Sequence, residues 1–141
     1  MSAEQSREPF GLLDTNVLIH WRRLTADRLP LTAAISTITI AELGAGVHMA
    51  SDPLVQSVRL DTLQRAESDF DPLPFDVGAA RAYGRVVAAV RHAGRSPRSR
   101  VADQMIAAIA IANDLPLFTT NAPDFAGLES LLHVVPIARP S

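Results

Sequence analysis

The chain has 141 residues, enough for one domain with a substantial core, and its 48% hydrophobic content is that of a folded globular protein rather than a disordered one. It contains no cysteine, which excludes disulfides and thiolate metal sites, and His20, His48, His92 and His133 show none of the spacings of a zinc site. The formal net charge of -2 carries no overall basic signature for nucleic acid, although all 13 cationic residues are arginine, a side chain suited to bidentate phosphate binding.

Residues 1–9 are polar and mixed in charge, with no apolar stretch of the kind a signal peptide needs, and are expected to be a flexible tail ahead of one domain over 10–141. Short apolar runs then alternate with helical patterns, the signature of an α/β fold. Residues 10–13 read as a buried strand, 17–23 as a short helix stopped before Pro30, and 33–36 as a second strand. Residues 39–50 and 53–68 read as helices, the latter with Leu54, Val58, Leu60 and Leu63 as its apolar positions. A short strand is expected at 72–75 and a helix from 76 or 77 to 92, with Ala80, Tyr83, Val87 and Val90 at helical spacing. A loop at 94–100 leads into a helix over 101–113 that is apolar nearly all round and therefore central. Residues 116–119 and 134–137 read as the last strands. The longest apolar run, 105–112, is too short to span a bilayer, so a cytoplasmic protein without membrane contact is expected.

Four acidic residues stand where these elements begin or end. Asp14 follows the first strand, Glu42 falls in the first turn after the second, Asp103 opens the apolar helix, and Asp124 follows the strand ending at Thr119. In open parallel sheets ligands bind beyond the carboxyl ends of the strands. Asp14, Glu42 and Asp124 map to that edge from chain order, and Asp103 joins them if its helix starts there. Each acid also has a plain structural reading. Asp14 fits a helix N-cap, and Thr39 through Glu42 fit a capping box. Asp103 suits the positive end of its helix, and Asp124 suits a turn after Pro123. The combination argues for more, because Asp14 is flanked by strongly apolar sequence where an unpaired charge is costly. Crowded carboxylates with no cation of their own repel one another, and a hard divalent ion with oxygen ligands, magnesium or manganese, relieves that repulsion.

The strings at 12–19 (Leu-Leu-Asp-Thr-Asn-Val-Leu-Ile) and 36–43, Ala102-Asp103 with Ile106-Ala107-Ala108, and 117–125 occur in an order that resembles the PIN-domain nucleases, most of all the VapC toxins of bacterial toxin–antitoxin pairs. The resemblance runs from about Leu12 to Phe125. It implies a three-layer α/β/α domain with a central, mostly parallel sheet, so that 10–141 form a single PIN-like nuclease domain. It also implies a magnesium- or manganese-dependent endoribonuclease, an RNA substrate, a cognate antitoxin and a homodimer. Asp14, Glu42 and Asp103 match the family's three core acids. Asn121 falls where several relatives carry the fourth, and Asp124, three residues on, is taken as that acid here. Thr15, Asn16, Thr119 and Asn121 are expected to support the acids through hydrogen bonds.

Arg95, Arg98 and Arg100, just before Asp103, are candidates for RNA phosphates, against the plainer reading of a solvated loop with Gly94, Ser96 and Pro97. Trp21, with Arg22 and Arg23, offers an aromatic that can stack a base, receive an antitoxin side chain or pack in the core. Two other functions compete. An aspartate-nucleophile phosphatase would use Asp14 to attack phosphorus, but Thr15-Asn16 supplies no second acid and the chain has no lysine. A catalytically silent binding module on the same scaffold has no need of the intact acids.

Overall fold

The structure, a computed structural model, describes residues 7–140. Most of the tail expected at 1–9 thus lies outside the described residues, and its last three positions belong to the domain. The Arg7 guanidinium donates to the carbonyls of Leu29 at 3.0 Å and Pro30 at 3.2 Å. The carbonyls of Glu8 and Pro9 accept from the Leu31 and Thr32 amides at 2.9 Å.

Four strands, β1 (Phe10–Leu13), β2 (Thr32–Ala34), β3 (Leu117–Thr119) and β4 (Val134–Pro136), form one sheet in the order β2-β1-β3-β4. Every pairing is parallel, with Gly11 opposite Ala33, Leu12 opposite Leu117 and Phe118 opposite Val135. The helices are α1 (Thr15–Ile19), α2 (Thr37–Met49), α3 (Pro53–Asp69), α4 (Val77–His92) and α5 (Val101–Ala112). Short 3-10 turns occur at Trp21–Arg23, Ala26–Arg28 and Ala122–Phe125.

The period-2 alternation of the strands assigns the two faces of the sheet. Leu12 and Leu117 look one way, into a core with Ala82, Val86, Ile106 and Ile109 of α4 and α5. Leu13 and Phe118 look the other way, onto Val17, Leu18, Leu43 and Ala66 of α1, α2 and α3. That is the expected three-layer α/β/α arrangement. Helix α5 is as central as its composition implies, with every residue from Ile106 to Ala110 buried. Within the sheet, the Phe118 ring of β3 lies over Gly11 of the neighbouring β1, where a side chain would run into it.

Two expectations need correction. The segment at 72–75 is no strand; Leu73 makes a single parallel bridge to Ser36, closed by the Leu73 amide on the Ile35 carbonyl and the Thr37 amide on the Leu73 carbonyl, both 2.9 Å. Pro72 and Pro74 on either side lack the amides a longer ladder needs. Helix α3 also fails to bury its expected apolar stripe: Leu54 and Val58 are 73% and 62% exposed, and Ala66 is its one fully buried residue.

Candidate active site

Strand β1 lies between β2 and β3, so the chain leaves it toward one side of the sheet and later returns on the other. The crevice at such a switch point, beyond the carboxyl ends, is where a parallel α/β fold has room for a ligand. Asp14 sits at the end of β1 and the Thr119–Asn121 turn at the end of β3, joined by the Asp14 amide donating to the Phe118 carbonyl at 2.9 Å.

Asp14 is 3% exposed and forms the helix cap that the sequence suggested. Its Oδ1 accepts from the Thr15 amide at 2.9 Å, capping α1. Its Oδ2 faces the crevice partners and accepts from Thr119 Oγ1 at 2.8 Å and Asn16 Nδ2 at 3.1 Å. Burial pushes its carboxyl above the usual aspartate range; the bonds from Thr119, Thr15 and Asn16 pull the other way, and the nearby charge of Glu42 pushes further up. Asn16 ties the two strand ends together through its Oδ1, which accepts from the Thr120 amide at 3.1 Å.

Glu42 lies in the second turn of α2 rather than the first, because the helix starts at Thr37 with Ser36 as its N-cap. The capping box expected over Thr39–Glu42 does not form; Ser36 Oγ accepts from the Thr39 amide at 3.1 Å instead. Glu42 turns toward α1, where its Oε1 accepts from Thr15 Oγ1 at 2.6 Å. With the Thr15 proton committed to Glu42, the buried Thr39 hydroxyl donates to Thr15 across 2.9 Å. This support from Ser36 and Thr39 was missed in the sequence, and its signal is the Ser-x-x-Thr-x-x-Glu spacing on one helix face.

Asp103 occupies the first turn of α5 and its side chain is 19% exposed. Its carboxyl is pushed up to about 7, first by burial and then by the charges of Asp14, Asp124 and Glu42, against the opposing pull of Arg100. Asp124, in the turn Ala122–Phe125, accepts from Asn121 Nδ2 at 2.6 Å. Asn121 therefore holds the fourth acid by a hydrogen bond.

The arginine loop is not a free basic patch. Arg95 donates to the Asp124 carbonyl at 3.2 Å and the Ala126 carbonyl at 2.8 Å, bracing the turn that carries Asp124. Arg100 Nη1 lies 3.1 Å from Asp124 Oδ2 and 3.8 Å from Asp103 Oδ2, so the acids do have a cation of their own, contrary to the sequence expectation. Arg98 is exposed. A small cavity of about 250 Å³ opens among Arg95, Arg100, Asp103, Gln104 and Asp124.

Asp14, Glu42 and Asp124 thus lie close enough to Asp103 for it to feel the charge of all three. The donor set is oxygen alone and carries surplus negative charge, which fits a hard cation such as magnesium or manganese. Among the described residues, no group of three or more such side chains is drawn together tightly enough to cage an ion alone. The fit is to an ion that keeps several waters and takes one or two carboxylates directly.

An all-parallel sheet between two helical layers, with carboxylates near its switch point, describes a three-layer α/β domain with an acidic sheet end. The PIN domain family matches residues 11–130. Ribonuclease VapC5 of Mycobacterium tuberculosis is 36% identical over 127 residues, spanning 88% of this chain and 91% of that protein. Ribonuclease VapC8 of the same species is 38% identical over 102 residues, spanning 71% and 89%. A crystal structure of VapBC-5, a member of the VapBC family of toxin–antitoxin systems from M. tuberculosis, superposes with a TM-score of 0.81 at 34% identity, covering 92% of this chain and 99% of that one. The chain belongs to the PIN-domain family, in its VapC branch. The resemblance carried by the four ordered motifs is borne out.

Proposed function

We propose that this protein is a metal-dependent endoribonuclease and the toxin of a toxin–antitoxin pair. The observation that carries the reading is the approach of Asp14, Glu42 and Asp124 to Asp103, each from a separate segment of the chain, where the Asp103 carboxyl is pushed up first by burial and then by their charges. The names of the relatives supply the reaction class, since two that cover most of this chain are ribonucleases.

A divalent ion held here supplies Lewis-acid polarisation of a phosphate oxygen and lowers the pKa of a bound water. Asp14, Glu42, Asp103 and Asp124 are the residues that would hold such an ion. Thr15 aims Glu42, and Thr119 and Asn16 fix the orientation of Asp14. Asn121 and Arg95 set the turn that presents Asp124. The crevice opens at the sheet edge, so an RNA strand can cross it without entering the core.

In this reading the antitoxin docks at the C-terminal end of α1, away from the Asp14 cap. There a groove of about 530 Å³ runs between the end of α1 and α3, lined by Ile19, Trp21, Val58 and Ala66 and edged by Arg22 and Asp61. The solved relative VapBC-5 belongs to a family of toxin–antitoxin systems, which makes an antitoxin segment the occupant argued for this apolar groove.

The test is cleavage of RNA by the purified chain with magnesium or manganese, and again after a chelator. Cleavage that needs the ion and returns on its re-addition is expected. Cleavage at full rate in excess chelator would overturn the metal-dependent reading, and no cleavage of any RNA class with either ion would overturn the nuclease reading.

A further inference from the structure

Arg100 stands at a place where a non-glycine residue is unusual. It is the N-cap of α5, yet its backbone is left-handed, at φ 56 and ψ 47, and its side chain makes no capping bond. For an L-residue this conformation costs on the order of 1 kcal/mol or more. It directs the guanidinium back over the acids, 3.1 Å from Asp124 and 3.8 Å from Asp103. Both carboxylates are largely covered, 14% and 19% exposed, whereas the Arg100 side chain is 52% exposed and reaches them from the solvent side. Arg95 is committed to two backbone carbonyls, which leaves Arg100 as the guanidinium in contact with this acid pair among the described residues.

We propose that Arg100 is an internal counter-cation, which bridges Asp103 and Asp124 in the ion-free protein and must release them when a divalent ion binds. The inference rests on the metal reading given above. Its physical content is competition. Two cations cannot both take the free lone pairs of the same covered carboxylates, so part of the ion's binding energy is spent on displacing the guanidinium. The long half-exposed side chain can move into water, where it is well solvated, without disturbing α5. Arg100 is thus a positioning residue that holds the acids in place and partly neutralised before the ion arrives, and it sets the ion concentration at which the site fills.

The test is calorimetric titration of the ion-free full chain with manganese alone, in the absence of RNA, for the wild type, Arg100→Ala, Arg100→Lys and Arg98→Ala. Arg98 is the control for the general field, because it is exposed and two residues away. Competition expects Arg100→Ala to bind manganese at least about threefold more tightly than wild type and Arg98→Ala to change by less than about twofold, the range of an exposed charge. Arg100→Lys, which keeps the charge and loses the planar fork, should fall between. In the ion-free state Arg100→Ala should also melt below wild type, and it should gain more from added manganese. Equal tightening in Arg98→Ala and Arg100→Ala would mean that only net charge matters, and it would overturn the proposal. Unchanged or weakened affinity in Arg100→Ala would overturn it as well. If none of the proteins binds manganese, the metal reading itself fails and this proposal with it, a result distinct from measurable but equal affinities.

Discussion

At the scale of single residues, Asp14 carries two duties that a substitution can separate. Its Oδ1 caps α1, a task that asparagine performs as well as aspartate, and its Oδ2 presents negative charge to the crevice. Asp14→Asn keeps the cap and removes a charge whose burial opposes ionisation. The new amide can donate to Thr119 Oγ1, at the expense of the hydroxyl proton that Asp14 now accepts and of the hydrogen bond from Asn16 Nδ2. The two effects offset, so the folding stability of the ion-free variant at neutral pH should stay within ~1 kcal/mol of wild type. RNA cleavage should nevertheless fall by more than about a hundredfold, the upper range for losing only a partner of a metal ligand. Denaturant melts and cleavage rates on the same preparation check this. A folded variant that cuts at near the wild-type rate would remove Asp14 from the site.

At the scale of elements, legibility in the sequence followed the strength of the local pattern. Strand β1 and helices α4 and α5 fall within a residue of their expected bounds, because an all-apolar run before Asp14, an N-cap at Asp76 and a helix after Arg100 that is apolar nearly all round each admit few alternatives. The expected strand at 72–75 is a lone bridge, since a four-residue segment holding two prolines cannot show by pattern alone how many ladder bonds it makes. The start of α2 was misplaced because Ser36 and Thr39 are both good caps, and three-residue spacing fits either register. Arg100 over the acids was not visible, since its place depends on how the loop packs rather than on sequence neighbours, whereas of the hydroxyls behind Glu42 Thr15 was expected and Thr39, which reaches it across the α1–α2 contact, was not. The bare outer face of α3 has a consequence of its own. Val58 is 62% exposed and lines the groove beside Trp21, so Val58→Asp should cost the isolated domain less than about 0.5 kcal/mol. Expressed alone, wild type and variant should both arrest growth of the host, and co-expression of the partner encoded beside the gene should rescue only the wild type. Equal rescue of both would place the antitoxin elsewhere on the surface.

At the scale of the whole molecule, the acid cluster sets how stability depends on pH. A carboxyl whose folded pKa lies above its unfolded value holds its proton more tightly when folded. Asp103 is such a group, with an unfolded value near 3.8 and a folded value of about 7. Between those limits the folded state binds more protons than the unfolded one, so stability must fall as pH rises through the window, and the loss is complete above it. One carboxyl can contribute a slope of at most ~1.4 kcal/mol per pH unit. Asp14 is raised in the same sense and steepens the decline. Asp27 and Glu129 are shifted downward by hydrogen bonds to themselves or their neighbours, so their stabilisation is lost only as pH falls through the acid range, below the window. The ion-free protein, kept in chelator, should therefore melt at a lower temperature at pH 8 than at pH 5. Magnesium or manganese binds the ionised carboxylates, so a saturating concentration should raise the melting temperature strongly at pH 8 and little at pH 5, flattening the profile. Asp103→Asn should flatten the chelated profile without any ion, because its amide does not titrate. Thermal melts of both proteins across this range decide the matter: an Asp103→Asn variant as steep as wild type would show that the decline arises outside the cluster.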